Sequence, residues 1–233
     1  MLQMIFTVVV LLLSCNYSNA DEFNAIVSGS LGTASEGAKS HLLYGASLAI
    51  NGQIYDKLEA EVRGGYANSK ADYNMVVPYG TNVAVNGLKL NEDKFDYAAL
   101  LAYPFSVGQA TLKIQLGYRG ILLNNSALDL HFGGPAIGAE GTLPLGKSSI
   151  TAEIQATPIV IFSNKTKIAK VYSIDNSQTP TLAGDPQFLL NYGVTWWATE
   201  YSSMKIGIGY DGEMLSFQRK NRYANSLALR FKF

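Results

Sequence analysis

This sequence predicts an all-β fold, a membrane-spanning antiparallel up-and-down β-barrel of ten strands, on three observations. Apolar and small-or-polar residues alternate with period two over segments of roughly ten to twelve residues, the length at which a tilted strand crosses a bilayer. Short and long connections between those segments alternate along the chain. The 233 residues are 48% hydrophobic yet only 15% charged, against roughly 25% charged in ordinary soluble proteins.

The segments follow in order. Glu22–Thr33 and Ser40–Ile50 open the set. In Lys57–Ala67, Leu58, Ala60, Val62, Gly64 and Tyr66 face out, with Glu59, Glu61, Arg63 and Gly65 in. Lys94–Tyr103 turns Phe95, Tyr97, Ala99, Leu101 and Tyr103 outward. Thr111–Gly120 sets Leu112, Ile114, Leu116 and Tyr118 against Lys113, Gln115, Gly117 and Arg119. Ala136–Leu145 is glycine-rich and has the weakest pattern. Ser149–Phe162 alternates up to Pro158, which has no N–H for a central strand. Gln187–Trp197 and Met204–Asp211 follow, the latter with Lys205, Gly207, Gly209 and Asp211 inward. Tyr223–Phe233 ends the chain on an aromatic. If Ser40–Ile50 and Ala136–Leu145 are irregular, eight strands remain.

Asn51–Asp56, Pro104–Ala110, Gly146–Lys147 and Ala198–Ser203 are the short connections. Asn68–Asp93, Ile121–Pro135 and Ser163–Pro186 are long and rich in residues that solvate backbone, with Ala34–Lys39 and Gly212–Asn221 the shorter members of that set. With both ends of the mature chain at one rim, every short turn falls there and every long loop at the other.

Alternation also suits a soluble sandwich or lipocalin-like barrel with its apolar face inward. Four features favour lipid outside. The polar face is small and sparsely charged. The aromatics Tyr66, Tyr103, Tyr118, Tyr192, Trp196, Tyr210 and Tyr223 cluster near strand ends, where interfacial girdles sit. The chain stops on Phe233, and loop length alternates. Closure is then required, because an unpaired backbone group in lipid costs several kcal/mol.

On this register the lumen holds the acids Glu59, Glu61, Asp96, Glu140, Glu153 and Asp211 and the bases Arg63, Lys113, Arg119, Lys205, Arg230 and Lys232. Six against six is the balance that a self-paired interior needs. A polar channel is the alternative, which the many inward glycines and alanines would leave room for.

Residues 1–20 read as a signal peptide cleaved after Ala20, and residues 21–233 as the barrel. Ile5–Leu13 is apolar except for Thr7, although no Lys or Arg precedes it. Leu12-Leu13-Ser14-Cys15 also resembles a lipobox, the second reading of this segment. With cleavage after Ala20 no cysteine remains in the mature chain.

The terminal strand, with Tyr223, Leu229, Phe231 and Phe233 on one face, resembles the C-terminal strand of bacterial outer-membrane β-barrels. The resemblance covers the whole mature chain. It implies residence in the bacterial outer membrane, the lipid bilayer as partner, and insertion by the outer-membrane assembly machinery with that strand as signal. It implies no activity.

Function is expected to be non-enzymatic: a structural or adhesin-like surface barrel whose loops meet an extracellular ligand. Tyr73 and Tyr79 are candidate loop contacts. The alternative is a porin-like barrel carrying small solutes or lipophilic ligands. A third is a rim protease, because Asp129 and His131 could polarise a water as a dyad in a manner similar to the omptin proteases. No inward His–Ser pair suits a hydrolase. No cofactor or metal set is legible with two histidines, and zero net charge argues against nucleic acid.

Overall fold

The computed structural model describes residues 23–36, 39–79, 81–126, 128–166, 188–198, 204–217 and 220–233. The expected signal segment, and most of the Ser163–Pro186 connection, lie outside these residues.

Strand β1 is Phe23–Glu36, β2 Lys39–Tyr55, β3 Leu58–Tyr79, β4 Thr81–Val107, β5 Ala110–Asn124 and β6 Leu128–Leu145. After these come β7 Ser148–Thr157, β8 Ile161–Thr166, β9 Phe188–Trp197, β10 Lys205–Phe217 and β11 Lys220–Lys232. All pairings are antiparallel, and β1 pairs with β11 while β5 pairs with β6, so the sheet closes on itself. The wall has ten strand positions. β7 and β8 share one of them: the lower half of β6 pairs with β7 and its upper half with β8. The break between them falls at Pro158, where a missing N–H ends the ladder. The seam closes at the chain end, where Phe233 N–H donates to Ala25 O (2.9 Å) and Ala25 N–H to Phe233 O (3.1 Å).

Two-residue turns join β2 to β3, β4 to β5 and β6 to β7, at one rim. In each the first turn residue has positive φ, at Asp56 (47°), Gly108 (62°) and Gly146 (63°), the backbone that matches the twist of a hairpin.

The outer wall is an apolar belt. Leu31 is 59% exposed, Leu116 56%, Ile208 57% and Leu227 64%, which in a soluble protein would be an unburied core. Aromatics border the belt. Tyr44, Tyr66, Tyr97, Tyr118, Tyr192, Tyr210 and Tyr223 lie toward the upper rim, away from the two-residue turns. Tyr55, Tyr103, Phe105, Trp196 and Phe233 lie toward the turns and are exposed.

The structure corrects the expected strand-count alternative and several expected loops. Ala136–Leu145 is part of an 18-residue strand and Ser40–Ile50 of a 17-residue strand, so both are regular and eight strands do not arise. Their many glycines and alanines are no obstacle, because strands on both sides pair with them. Asn68–Asp93 is a paired hairpin rather than a loop: β3 and β4, of 22 and 27 residues, remain antiparallel up to Tyr79 and Thr81 with one irregularity between Tyr73 and Met75. About ten residues suffice to cross a bilayer, so this hairpin stands well beyond the belt. Ile121–Pro135 is also mostly strand, turning around Asn125 and Ser126. Likewise β10 and β11 continue through most of Gly212–Asn221.

Candidate functional site

The inward face of the barrel carries three tiers of side chains. Nearest the two-residue turns, Lys113 on β5 donates to Glu59 Oε2 on β3 (2.6 Å) and lies 3.7 Å from Glu140 Oε1 on β6. Lys113 and Glu140 are register partners. Lys205 and Lys232, also register partners, complete this tier from β10 and β11. The tier surrounds a cavity of about 410 Å³.

At mid-height, Arg63 on β3 pairs with Glu61 and reaches across to β7. There its two terminal nitrogens meet the two oxygens of Glu153 at 3.0 and 2.7 Å. Arg230 on β11 pairs with Asp211 and Thr195. Arg119 on β5, 5% exposed, binds both oxygens of Asp96 on β4, with Nε to Oδ1 at 3.2 Å, and stands 3.3 Å from Glu213. Lys94 Nζ is 2.6 Å from both oxygens of Glu213 and 3.7 Å from Asp96. A cavity of about 280 Å³ lies among these groups.

The upper tier is split. On one side Arg222 grips Glu92 through two bonds, 3.1 and 2.6 Å, linking β11 to β4. On the other the inward face turns apolar. Ile121 and Phe132 are register partners, as are Leu123 with Leu130 and Leu189 with Leu215. All six are between 0 and 4% exposed. Hydrophobic burial, worth about 1.5–3 kcal/mol per large side chain, therefore stabilises this barrel from within, above its charges.

The twelve lumenal residues expected from alternation all sit on inward registers, and the structure joins ten of them into the ion pairs above. Lys232 enters none of these pairs and faces Lys205 across β10 and β11. Lys94, Glu213, Glu92 and Arg222 belong to the lumenal pairs without having been among the expected residues. Strand parity could have found them: Lys94 and Glu92 are two and four residues before Asp96, and Glu213 is two after Asp211. Glu92, Glu213 and Arg222 lie just beyond the expected strand ends, whereas Lys94 is the first residue of the expected strand Lys94–Tyr103 and inward by its parity with Asp96. With them the named lumenal groups number eight acids and eight bases. The terminal-strand residues Tyr223, Leu229 and Phe233 are exposed on the outer wall, and Phe231 shares their face.

Asp129 and His131 do not occupy a loop. Both are on β6, on the outward face shared with Gly133 and Ile137. His131 Nε2 is 2.7 Å from Tyr97 Oη and its ring stacks on that tyrosine at 6.2 Å. Burial there pushes the His131 imidazole below its usual pKa. Its partner is thus a phenol on the outer wall, away from the lumen. Elsewhere on the upper rim, Tyr66 Oη and Asn68 Nδ2 donate to Asp93 Oδ1 at 2.6 and 2.8 Å and hold that carboxyl below the ordinary range. Among the described residues no group of three or more His, Cys, Asp or Glu side chains is placed to hold a metal ion. Tyr73 and Tyr79 belong to the upper hairpin, where only the backbone is described.

No protein-family model matches the sequence, and no curated protein is similar to it at the sequence level. Solved structures are similar in fold. The outer membrane protease OmpT of Escherichia coli superposes with a TM-score of 0.57 at 10% identity, covering 91% of this chain and 97% of that one. The translocator domain of the autotransporter NalP of Neisseria meningitidis gives 0.42 at 11% identity over 99% and 95%. Neisserial surface protein A gives 0.36 at 12% identity over 91% and 97%. At such identities the likeness concerns the path of the chain and not its chemistry. The belt, the closed antiparallel wall and the OmpT superposition agree: this chain has the fold of the bacterial outer-membrane β-barrels.

Proposed function

We propose that this chain is a non-enzymatic bacterial outer-membrane protein whose lumen is filled and whose surface beyond the belt meets an extracellular ligand. On this reading it is exported with loss of residues 1–20, and the assembly machinery inserts it by its last strand. The observation that carries the proposal is the self-paired lumen: most named charges there have an internal counter-charge, under an apolar tier on one side and the Arg222–Glu92 pair on the other. A ring of ten strands is also short of the roughly 16 at which barrels enclose an open aqueous channel. The long β3–β4 hairpin supports the surface role, because it projects far more strand than a crossing requires.

A second reading, a small-solute transport barrel, is supported by the two cavities, which lie in series with Trp197 lining both. Planar-bilayer recording on the refolded protein separates the two. The filled lumen gives no steady single-channel current, whereas stable ion-selective currents from the unmodified protein would overturn the proposal in favour of transport.

A further inference from the structure

We propose that the mouth on the side of the two-residue turns is a binding site for a small polyhydroxylated anion, a sugar acid or sugar phosphate. The site is the cavity of about 410 Å³, within the ordinary range of small-molecule pockets, about 300–1,000 Å³.

Charge comes first. Among the described residues, the charged groups that line the cavity are Lys113, Lys205 and Lys232 with Glu59 and Glu140. Both of those carboxylates are engaged by Lys113, at 2.6 and 3.7 Å. Lys232 makes no hydrogen bond or ion pair within the described structure, is only part-exposed, and faces Lys205 directly across the β10–β11 ladder. A half-buried ammonium without a counter-ion is costly, and an anion beside Lys232 removes that cost.

The rest of the lining sets the class. Asn24, Asn51, Gln53, Thr142, Ser149 and Thr151 supply neutral donors and acceptors around the cavity, suited to hydroxyl groups rather than to a bare ion. Trp197 adds an aromatic surface. It is 7% exposed and lines both this cavity and the one above. Its ring lies against β10 because residue 207 is glycine: a Cβ there would stand 2.7 and 2.9 Å from ring atoms. The indole therefore borders both cavities, and a ligand in the mouth rests against it.

Trp197 also makes the test direct, since the other tryptophan, Trp196, faces outward and can be replaced. The refolded Trp196→Phe barrel in detergent micelles is titrated with sodium glucuronate, glucose 6-phosphate and glucose at constant ionic strength. The site predicts a saturable change in Trp197 emission with at least one anion, half-complete below about 1 mM, and with glucose at least about tenfold weaker. Lys232→Gln raises the half-saturation at least about tenfold while the barrel keeps its heat-modifiable migration. No saturable response to either anion by about 10 mM, an equal response to glucose, or an unchanged half-saturation in folded Lys232→Gln overturns the proposal. Should Lys232→Gln fail to fold, the anion-against-glucose comparison decides alone. None of these outcomes depends on whether the barrel conducts.

Discussion

Replacing Arg119 by methionine isolates what the lumenal charges contribute. Arg119, Asp96, Lys94 and Glu213 form a neutral group of four, and Arg119 is its most enclosed member, with a side chain 6% exposed. Methionine keeps most of the volume and removes the charge. Glu213 then retains Lys94 at 2.6 Å, but Asp96 keeps only Lys94 at 3.7 Å. The loss therefore falls on one carboxylate. Breaking a dry buried pair costs about 3–5 kcal/mol. Asp96 is 25% exposed, toward a cavity large enough for several waters, so the low end applies, about 3 kcal/mol. The Arg119→Met/Asp96→Asn pair removes the stranded charge and should recover at least half of that loss, through a coupling of about 1.5 kcal/mol or more. Equilibrium urea unfolding in lipid vesicles, followed by tryptophan fluorescence, measures all three variants. A cost below about 1 kcal/mol for Arg119→Met, with no recovery in the double variant, is the behaviour of solvated ion pairs. It would refute the dry-lumen argument.

Three further outcomes follow from the same geometry. Ile114→Arg, on the belt, should destabilise the barrel by about 2–4 kcal/mol in a bilayer; Ser47→Gln, which points into the mid-height cavity, should stay within about 1 kcal/mol, and the reverse order in vesicle unfolding would invert the two faces. Deleting Phe233 removes two backbone bonds to Ala25, worth about 1 kcal/mol each even in water, and should sharply reduce heat-modifiable protein in the outer-membrane fraction; undiminished insertion would count against the terminal strand as assembly signal. Because burial lowers the His131 pKa, the folded state favours the neutral ring, so this contribution is present above about pH 6.5 and is lost as pH falls through the depressed folded value; His131→Gln should flatten that part of the stability–pH curve, and an unchanged curve would assign the loss to another group.

The wall was legible because its signal repeats. Each of Leu112, Ile114, Leu116 and Tyr118 carries little information alone, yet together they fix the phase of β5, and a one-residue slip would put Lys113 and Arg119 into lipid. That penalty is why inward and outward assignments held from Leu58 to Lys232. Strand ends carried no such penalty. Above the belt both faces meet water or the apolar tier, so the pattern of Ile121–Pro135 loses its contrast. Leu123, Leu130 and Phe132 are inward and apolar there, the opposite of the rule below, and the segment reads as loop by composition. Glu92, Glu213 and Arg222 lie beyond the ends that this contrast marks. Pairing partners across the lumen, such as Arg63 with Glu153, depend on the curvature of the whole ring and on side-chain reach, which no local pattern encodes.

The glycines show how far composition alone misleads. Inward glycines leave room for a channel when each strand is considered separately. In the closed barrel the long neighbours of several occupy that room. Arg230 lies over Gly209, Trp197 over Gly207 and Gln115 over Gly138, and a Cβ at Gly193 would stand 2.8 Å from Asp211. Outward, the upper tyrosines do the same against lipid: Tyr97 covers Gly120, Tyr118 covers Gly133 and Tyr192 covers Gly212, as aromatic side chains commonly cover sheet glycines. A glycine on one strand is thus the seat for a bulky residue on another. The same residue type that suggests an empty lumen is what permits arginine and tryptophan to occupy part of it.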